Sequence, residues 1–574
     1  MPRTRSLVVG TAVAALVSAA VAVPVSASQA SRHPAPKASH YTLGADVESI
    51  DPTPAMLADD FYLGGYGLGS GKALNQVKVI DGRAATGILE DPMFPNGLAD
   101  GVHVRSVVIG DARHAIALAQ IETQGYYSAY KQGPFGITEI RKDAAAAIAK
   151  LHGPAMSASA IVVDSNHSHS GPDTAGVWGG VPTTYLKLVH DRTVTAIVNA
   201  YNKQQAVELW FGTAHAGVNG EPRYPAKDPL LTNQFSYDPA NSDVDEELRV
   251  LQARVPGSGK VVATYLNYSS HPTVLGSSNK LVSADYTGPL SAMLSSLGGV
   301  GMQQVATLGR TQPARDDCDD KTATGAKADV CKINQYASRV FLRAKQALAT
   351  ARPLTGAPVV AMQSYLIQDT ATNAPIVALE YGGLAAGAPL YRAPNTPWFT
   401  ANELGAPVFS GRVGGLLFEG GPGEIYPQIV AKVRATVPAL GHFTIGTAGD
   451  FLGYIVAPVS AYPEPIRRSL FDGDPLPAGN PDCSGGVAPI GLPSPIGCPS
   501  PIDNDNYFFN VSHTFGERLT CAMLRGAGAV MKGDDSVYWS TYAPCPAFAN
   551  DYVLPAGTDT AFPDQPDLSA VLTH

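Results

Sequence analysis

Two short segments of the chain put imidazoles where chemistry could use them. Residues 166–172 read Asn-His-Ser-His-Ser-Gly-Pro and follow an apolar run at 159–164. Residues 265–272 read Tyr-Leu-Asn-Tyr-Ser-Ser-His-Pro, with His271 again just past an apolar run. At a strand end His167 and His169, two apart, face the same side, and the segment after a strand is where binding groups collect. Neutral imidazole is the commonest protein metal ligand, and zinc accepts two or three imidazoles with an oxygen ligand. A lone histidine is more readily a loop residue satisfied by backbone hydrogen bonds. Two strand-end segments leave the metal site and the satisfied loop as evenly matched readings. His103, His114, His152, His190, His215, His442 and His513 lie in mixed contexts and read as structural histidines.

Other motifs fail on their chemistry. The stretch from Gly64 to Lys72 has Tyr66 where a phosphate loop needs glycine and Ala73 where it needs Ser or Thr, so it reads as loop packing. No H-E-x-x-H and no G-x-S-x-G occurs. Asp316, Asp317, Asp319 and Asp320 miss the EF-hand spacing and read as a solvated loop.

The elements that must hold the histidines are legible as alternating apolar runs and helical patterns. Strands are expected at 104–110, 115–122, 159–164, 208–212 and 261–268, and helices at 137–151, 332–352, 425–437 and 506–526. Interleaving of this kind predicts an α/β (mixed α+β) fold of layered mixed sheets flanked by helices. Residues 471–505 are rich in Pro, Gly and Asp and read as a long loop.

Composition narrows the function classes. The chain has 574 residues, 45% hydrophobic and 16% charged, with a formal net charge of -9. That is ample for a large core and unlike a disordered chain. The acidic balance argues against a nucleic-acid partner, which needs a basic face. Arg3 and Arg5, an apolar run at 7–23 and Val25-Ser26-Ala27 read as a signal peptide over 1–27, followed by a polar tail at 28–40. The run is short of the ~20 residues of a membrane anchor, so the protein is expected to be secreted, with at most peripheral membrane contact. Six cysteines, with neighbouring pairs 318/331, 483/498 and 521/545, suit an oxidising compartment. This pairing is the simplest of fifteen connectivities.

With those residues in view, the chain resembles the neutral/alkaline ceramidases. The segment 166–172 is similar to the family's H-T-H-S-G-P, and His271 with Ser283-Ala284-Asp285-Tyr286 to its second histidine and the acidic segment beyond it. Pro422-Gly423-Glu424 resembles its P-G-E, and Gly453-Tyr454 with Ala457-Pro458 its tyrosine region. The likeness extends in order over most of 41–460 and implies one catalytic domain over 41–550, with a tail at 551–574 in place of the bacterial relatives' immunoglobulin-like domain. It implies Zn2+ held by His167, His271, Glu424 and Tyr454, with His169 facing the substrate and Arg223 touching it. Zinc in such a set would bring a water's pKa toward ~7 and polarise an acyl carbonyl. Glu424 is expected to open a helix, its charge at the positive end of the dipole.

The resemblance breaks at 309–314. The family's G-D-x-S-P-N reads Gly-Arg-Thr-Gln-Pro-Ala here, so Gln312 stands in the serine's position beside Thr311, and Arg310 replaces the aspartate. Gln312 could donate to an oxyanion but cannot be a nucleophile. The expected function is a zinc-dependent hydrolase of N-acyl linkages on a small-molecule or lipid substrate, ceramide being the named candidate. The alternatives are an esterase or amidase on another acyl group, and a secreted binding protein that has lost catalysis.

Overall fold

The computed structural model describes residues 40–66, 82–154, 156–217, 229–233, 244–309, 311–315, 317–371, 376, 385–393, 402–456, 510–512 and 514–540. Eight strands build the spine of a nine-stranded sheet: β1 (Tyr41–Ser49), β2 (His103–Gly110), β3 (Ala115–Ile121), β4 (Ile161–Ser165), β5 (Gln205–His215), β6 (Glu247–Arg254), β7 (Val261–Tyr268) and β8 (Val300–Val305). Their order is β8-β7-β6-β5-β1-β2-β3-β4. The interior pairs are antiparallel, while β8 on β7 and β4 on β3 are parallel. A five-stranded sheet contains β9 (Val360–Ala371), β10 (Asn402–Val413), β11 (Leu416–Gly420) and β12 (Gly441–Ile445) in that order, with Tyr391–Ala393 added on β10.

The alternation of side chains along these strands explains the layering. Leu251, Ala263 and Tyr265 on one face of the large sheet share a core with Phe409 and Phe418 of the small one. Phe418 and Phe443 stack there at 4.6 Å. The opposite residues, Leu248, Val250, Leu266 and Tyr268, pack on the helices α3 (Thr287–Ser295) and α4 (Ala326–Thr350). The helix α2 (Thr183–Asn202) lies on β1 and β2, with α1 (Ile137–Ile148) packed against it. Gly44 is required on β1, because a Cβ there would fall 2.1 Å from the Ala200 carbonyl oxygen of α2. The outer face of the small sheet, with Leu404, Ala406, Val408 and Leu417, is covered by α5 (Pro427–Thr436) and α6 (Phe515–Lys532). The result is helices, sheet, sheet, helices, as the interleaved pattern predicted.

The strands at 104–110, 115–122 and 261–268 match β2, β3 and β7, and that at 159–164 is β4 shifted by two residues or fewer at each end. The helices expected at 137–151, 332–352 and 506–526 fall at α1, α4 and α6 with shifted ends, residues 506–509 lying outside the described set. One expectation is corrected. Glu424 does not open a helix: Glu424–Ile425 is a short strand paired in parallel with Tyr454–Ile455, and α5 starts at Pro427. Proline at the first helical position explains that start, since its missing N–H is not needed there. Cys318 and Cys331 are bonded, and Cys521 is in a disulfide whose partner lies outside the described residues. The 483/498 pair, residues 1–39, the 471–505 stretch and the 551–574 tail also lie outside them.

Candidate metal centre

The candidate side chains gather beyond the carboxyl ends of strands from both sheets, where ligands collect in open α/β sheets. β4 leads into Asn166 and His167, β7 into Ser269 and His271, and β11 into the turn that ends at Glu424. The segment after β12 fills the gap between the ends of the large sheet. Gly446 N–H donates to Val305 O at 3.3 Å, Gly449 N–H to Val163 O at 2.8 Å, and the Thr447 hydroxyl to Ser165 O at 2.6 Å. Two buried side chains join the same ends, Gln304 Nε2 donating to Asp164 Oδ1 at 2.6 Å.

His167, His169 and His271 each aim a ring nitrogen at one point, the three lying within 4.8 Å of one another. His169 Nε2 is 3.2 Å from His167 Nε2. The Glu424 carboxylate reaches both other rings, Oε1 at 3.3 Å from His167 Nε2 and Oε2 at 2.8 Å from His271 Nε2. Two rings are fixed from behind: His167 Nδ1 lies 2.7 Å from Gln124 O, and His271 Nδ1 lies 2.6 Å from Thr311 O. A carbonyl accepts only, so it holds the proton on Nδ1 and leaves the Nε2 lone pair facing the shared point. His167, His271 and Glu424 are buried, while His169 is half-buried. Burial, followed by the neighbouring His167 and His271, holds His169 well below the usual imidazole range. Burial alone would raise the Glu424 carboxyl, but His167 and His271 outweigh it and keep it below the usual carboxylate range. Imidazole nitrogens around an ionised carboxylate are a donor set that suits a divalent metal.

Backbone strain is concentrated around this point. His167 (φ 62°), Asp285 (φ 59°) and Thr447 (φ 49°) all adopt the left-handed region that non-glycine residues avoid. Each is over-determined by its neighbours. The Asp285 carboxylate accepts from the amides of Val274, Leu275 and Tyr286, which fixes the loop after His271. Asn166 Nδ2 donates to Thr287 Oγ1 at 2.9 Å, and the Ser168 hydroxyl donates to Ser283 O at 2.8 Å.

The other expected residues fall as follows. Tyr454 is opposite Glu424 in register, and its ring lies 6.3 Å from that of Tyr426. Thr311 is buried and meets His271 through its carbonyl, its own hydroxyl lacking a hydrogen-bond partner among the described residues. Gln312 Oε1 accepts from the Thr273 hydroxyl at 2.8 Å, joining it to the His271 loop. Arg223 and Arg310 lie outside the described residues. Sequence reasoning missed the Gln124 carbonyl, Arg83, Tyr66 and Phe451, whose ring lies 5.8 Å from that of His167. A carbonyl contact has no residue-type signal, and none of these side chains sits near the histidines in sequence.

No protein-family model matches the chain. No curated protein matches it either. Solved structures do. The neutral ceramidase from Pseudomonas aeruginosa superposes with a TM-score of 0.52 at 14% identity, over 83% of this chain and 75% of that one. A ceramidase complexed with C2 superposes with a TM-score of 0.53 at 12% identity, over 86% and 76%. At such identities the likeness is one of fold: the chain has a ceramidase-like architecture of layered mixed sheets and helices.

Proposed function

We propose that this protein is a zinc-dependent hydrolase of N-acyl amide bonds on an apolar, lipid-like substrate. The observation that carries the reading is the convergence of three imidazoles and one carboxylate, two rings fixed by carbonyls, in a fold shared with ceramidases. His167, His271 and Glu424 would hold the metal, with Tyr454 opposite Glu424 completing the set. Zinc held by these residues would supply a water of lowered pKa and would polarise an acyl carbonyl. The chain's own residues do the rest. The carbonyls of Gln124 and Thr311 hold the Nδ1 side of His167 and His271 and aim their Nε2 atoms. His169, 3.2 Å from a ligand nitrogen, faces whatever is bound. It is the group to accept the proton that the attacking water gives up, to hydrogen-bond the oxyanion once protonated, and to return that proton to the departing amine nitrogen. Water and amide then become carboxylate and protonated amine.

Metal content tests the reading directly. Purified protein is expected to carry one zinc per chain, lost in His167→Ala, His271→Ala and Glu424→Ala. His169→Ala should keep the metal and lose about 10²–10⁴-fold in rate. A His169→Ala protein empty of metal would instead make His169 a third imidazole ligand. Wild-type protein that binds no zinc from replete medium would leave the secreted binding protein as the better account.

A second reading concerns the substrate. Gln312, held by Thr273, occupies the position of the family's serine and favours an acyl compound other than ceramide. If the chain is a drifted ceramidase, Gln312→Ser should raise ceramide cleavage. No gain, with turnover of other N-acyl amines intact, would establish the second reading. We also propose export, which the Cys318–Cys331 disulfide supports.

A further inference from the structure

We propose that Arg83 is the positioning residue for His169, holding that histidine through its backbone. Arg83–Ala84 is a short strand paired with Tyr62–Leu63, and the Arg83 side chain turns inward until the residue is 8% exposed. A buried guanidinium normally meets a carboxylate. Among the described residues this one meets none. Its Nη2 donates to the carbonyl oxygens of both Gly64 and His169, and Nη1 donates to Asn279 O at 3.0 Å. The guanidinium also lies over the Tyr66 ring, 4.8 Å from its centre. That ring in turn meets the His169 imidazole edge-on at 4.9 Å.

The three carbonyls belong to three separate stretches of chain: the glycine-rich segment, the His-x-His segment and the loop that follows His271. A planar guanidinium can serve all three at once, which an ammonium on a flexible stem does poorly. Backbone contacts depend on the same arrangement. Gly64 N–H donates to Gly171 O at 3.1 Å, His169 N–H to Pro272 O at 3.1 Å and Ser283 N–H to Ser170 O at 2.9 Å. Arg83 therefore locks the His169 backbone against both neighbours, and Tyr66 holds the ring that this backbone presents. Only the consequence for catalysis rests on the hydrolase reading; the positioning does not.

The test uses Arg83→Met and Arg83→Lys in the full chain. Amide hydrogen exchange without added metal should quicken at least tenfold in Arg83→Met at 62–66, 169–172 and 279–283 together. Arg83→Lys should restore part of the protection, and it carries the measurement if the methionine variant does not fold. In turnover of an N-acyl amine, Arg83→Met should cost about 10–100-fold in kcat with little change in KM, the scale seen for residues that orient ligands from behind. In a His169→Ala background it should cost almost nothing more, because both changes remove one function. Faster exchange confined to 82–85, or an undiminished loss in the His169→Ala background, would overturn the proposal. If the wild type neither binds zinc nor hydrolyses amides, the hydrolase reading falls and the exchange pattern still decides the role of Arg83.

Discussion

The chemistry of this site depends on a few atoms that are not themselves reactive. The carbonyls of Gln124 and Thr311 set the proton on His167 and His271, and so decide which ring nitrogen is free. Close approach matters equally. Gly65 adopts φ 93°, and a Cβ there would fall 2.3 Å from the His169 ring. Gly65→Ala should therefore push the imidazole off its position as well as strain the backbone by about 1–3 kcal/mol. The expected result is a large fall in amide hydrolysis with zinc still bound, read by metal analysis beside a rate assay. A variant of wild-type rate would mean that the Gly65 segment yields easily and does not define the His169 pocket.

Between the two halves of the site, the elements are tied by one buried ion cluster. Asp245, just ahead of β6, accepts from Arg249 of its own strand at 3.1 and 3.2 Å and from Arg434 of α5 at 2.8 and 2.7 Å. The Ser269 hydroxyl, two residues before His271, also donates to it at 3.3 Å. The cluster thus joins the His271 loop to the helix that follows Glu424. Burial alone would raise the Asp245 carboxyl, but Arg249 and then Arg434 outweigh it and hold it far below the usual range. A depressed folded pKa means that its stabilisation is complete above the unfolded value of ~3.9 and lost as pH falls through the lower folded value. Asp245→Asn leaves the buried Arg249 with only the partly exposed Glu247 carboxylate, 2.6 Å from its Nη2, as a charge partner and should cost about 3 kcal/mol at neutral pH. Denaturant midpoints for the variant should also lose part of the wild type's acid sensitivity below pH ~4. A loss under ~1 kcal/mol would place the cluster with surface ion pairs in its worth.

Across the whole molecule, the layer between the two sheets is one of the main hydrophobic cores, beside those under the flanking helices. Phe211 and Tyr265 of the large sheet meet Phe443 of the small sheet at 5.7 and 5.5 Å between ring centres. Phe443→Ala opens a cavity in this layer and should cost about 3–5 kcal/mol. Because β12 runs directly into the 446–451 segment that joins the ends of the large sheet, metal affinity is expected to fall with stability. Calorimetry beside zinc titration checks both, and an unchanged affinity would separate the core from the site. Among the described residues, no helix is long and apolar enough to cross a membrane.

Much of this was legible in the sequence because it is periodic or local. The apolar runs at 104–110, 115–122 and 261–268 declare strands by composition, and an Asn-His-Ser-His or Ser-Ser-His immediately after a strand needs no distant partner to be noticed. Glu424 entered through the resemblance of Pro-Gly-Glu to the ceramidase motif, but its local structure was misread. A two-residue strand exists only because Tyr454 and Ile455 lie beside it, and nothing nearby in sequence announces that pairing. The strands β9 and β10 and the helix α2 were likewise unclaimed, their patterns weak without the surfaces they cover. The sequence by itself determined the layered class and the strand ends that carry histidines. The tertiary structure alone decided which carbonyls orient those rings, that Glu424 reaches two of them, and that Arg83 lies behind His169. These are contacts between segments dozens to hundreds of residues apart, made by backbone atoms every residue shares, so no residue type can signal them in advance.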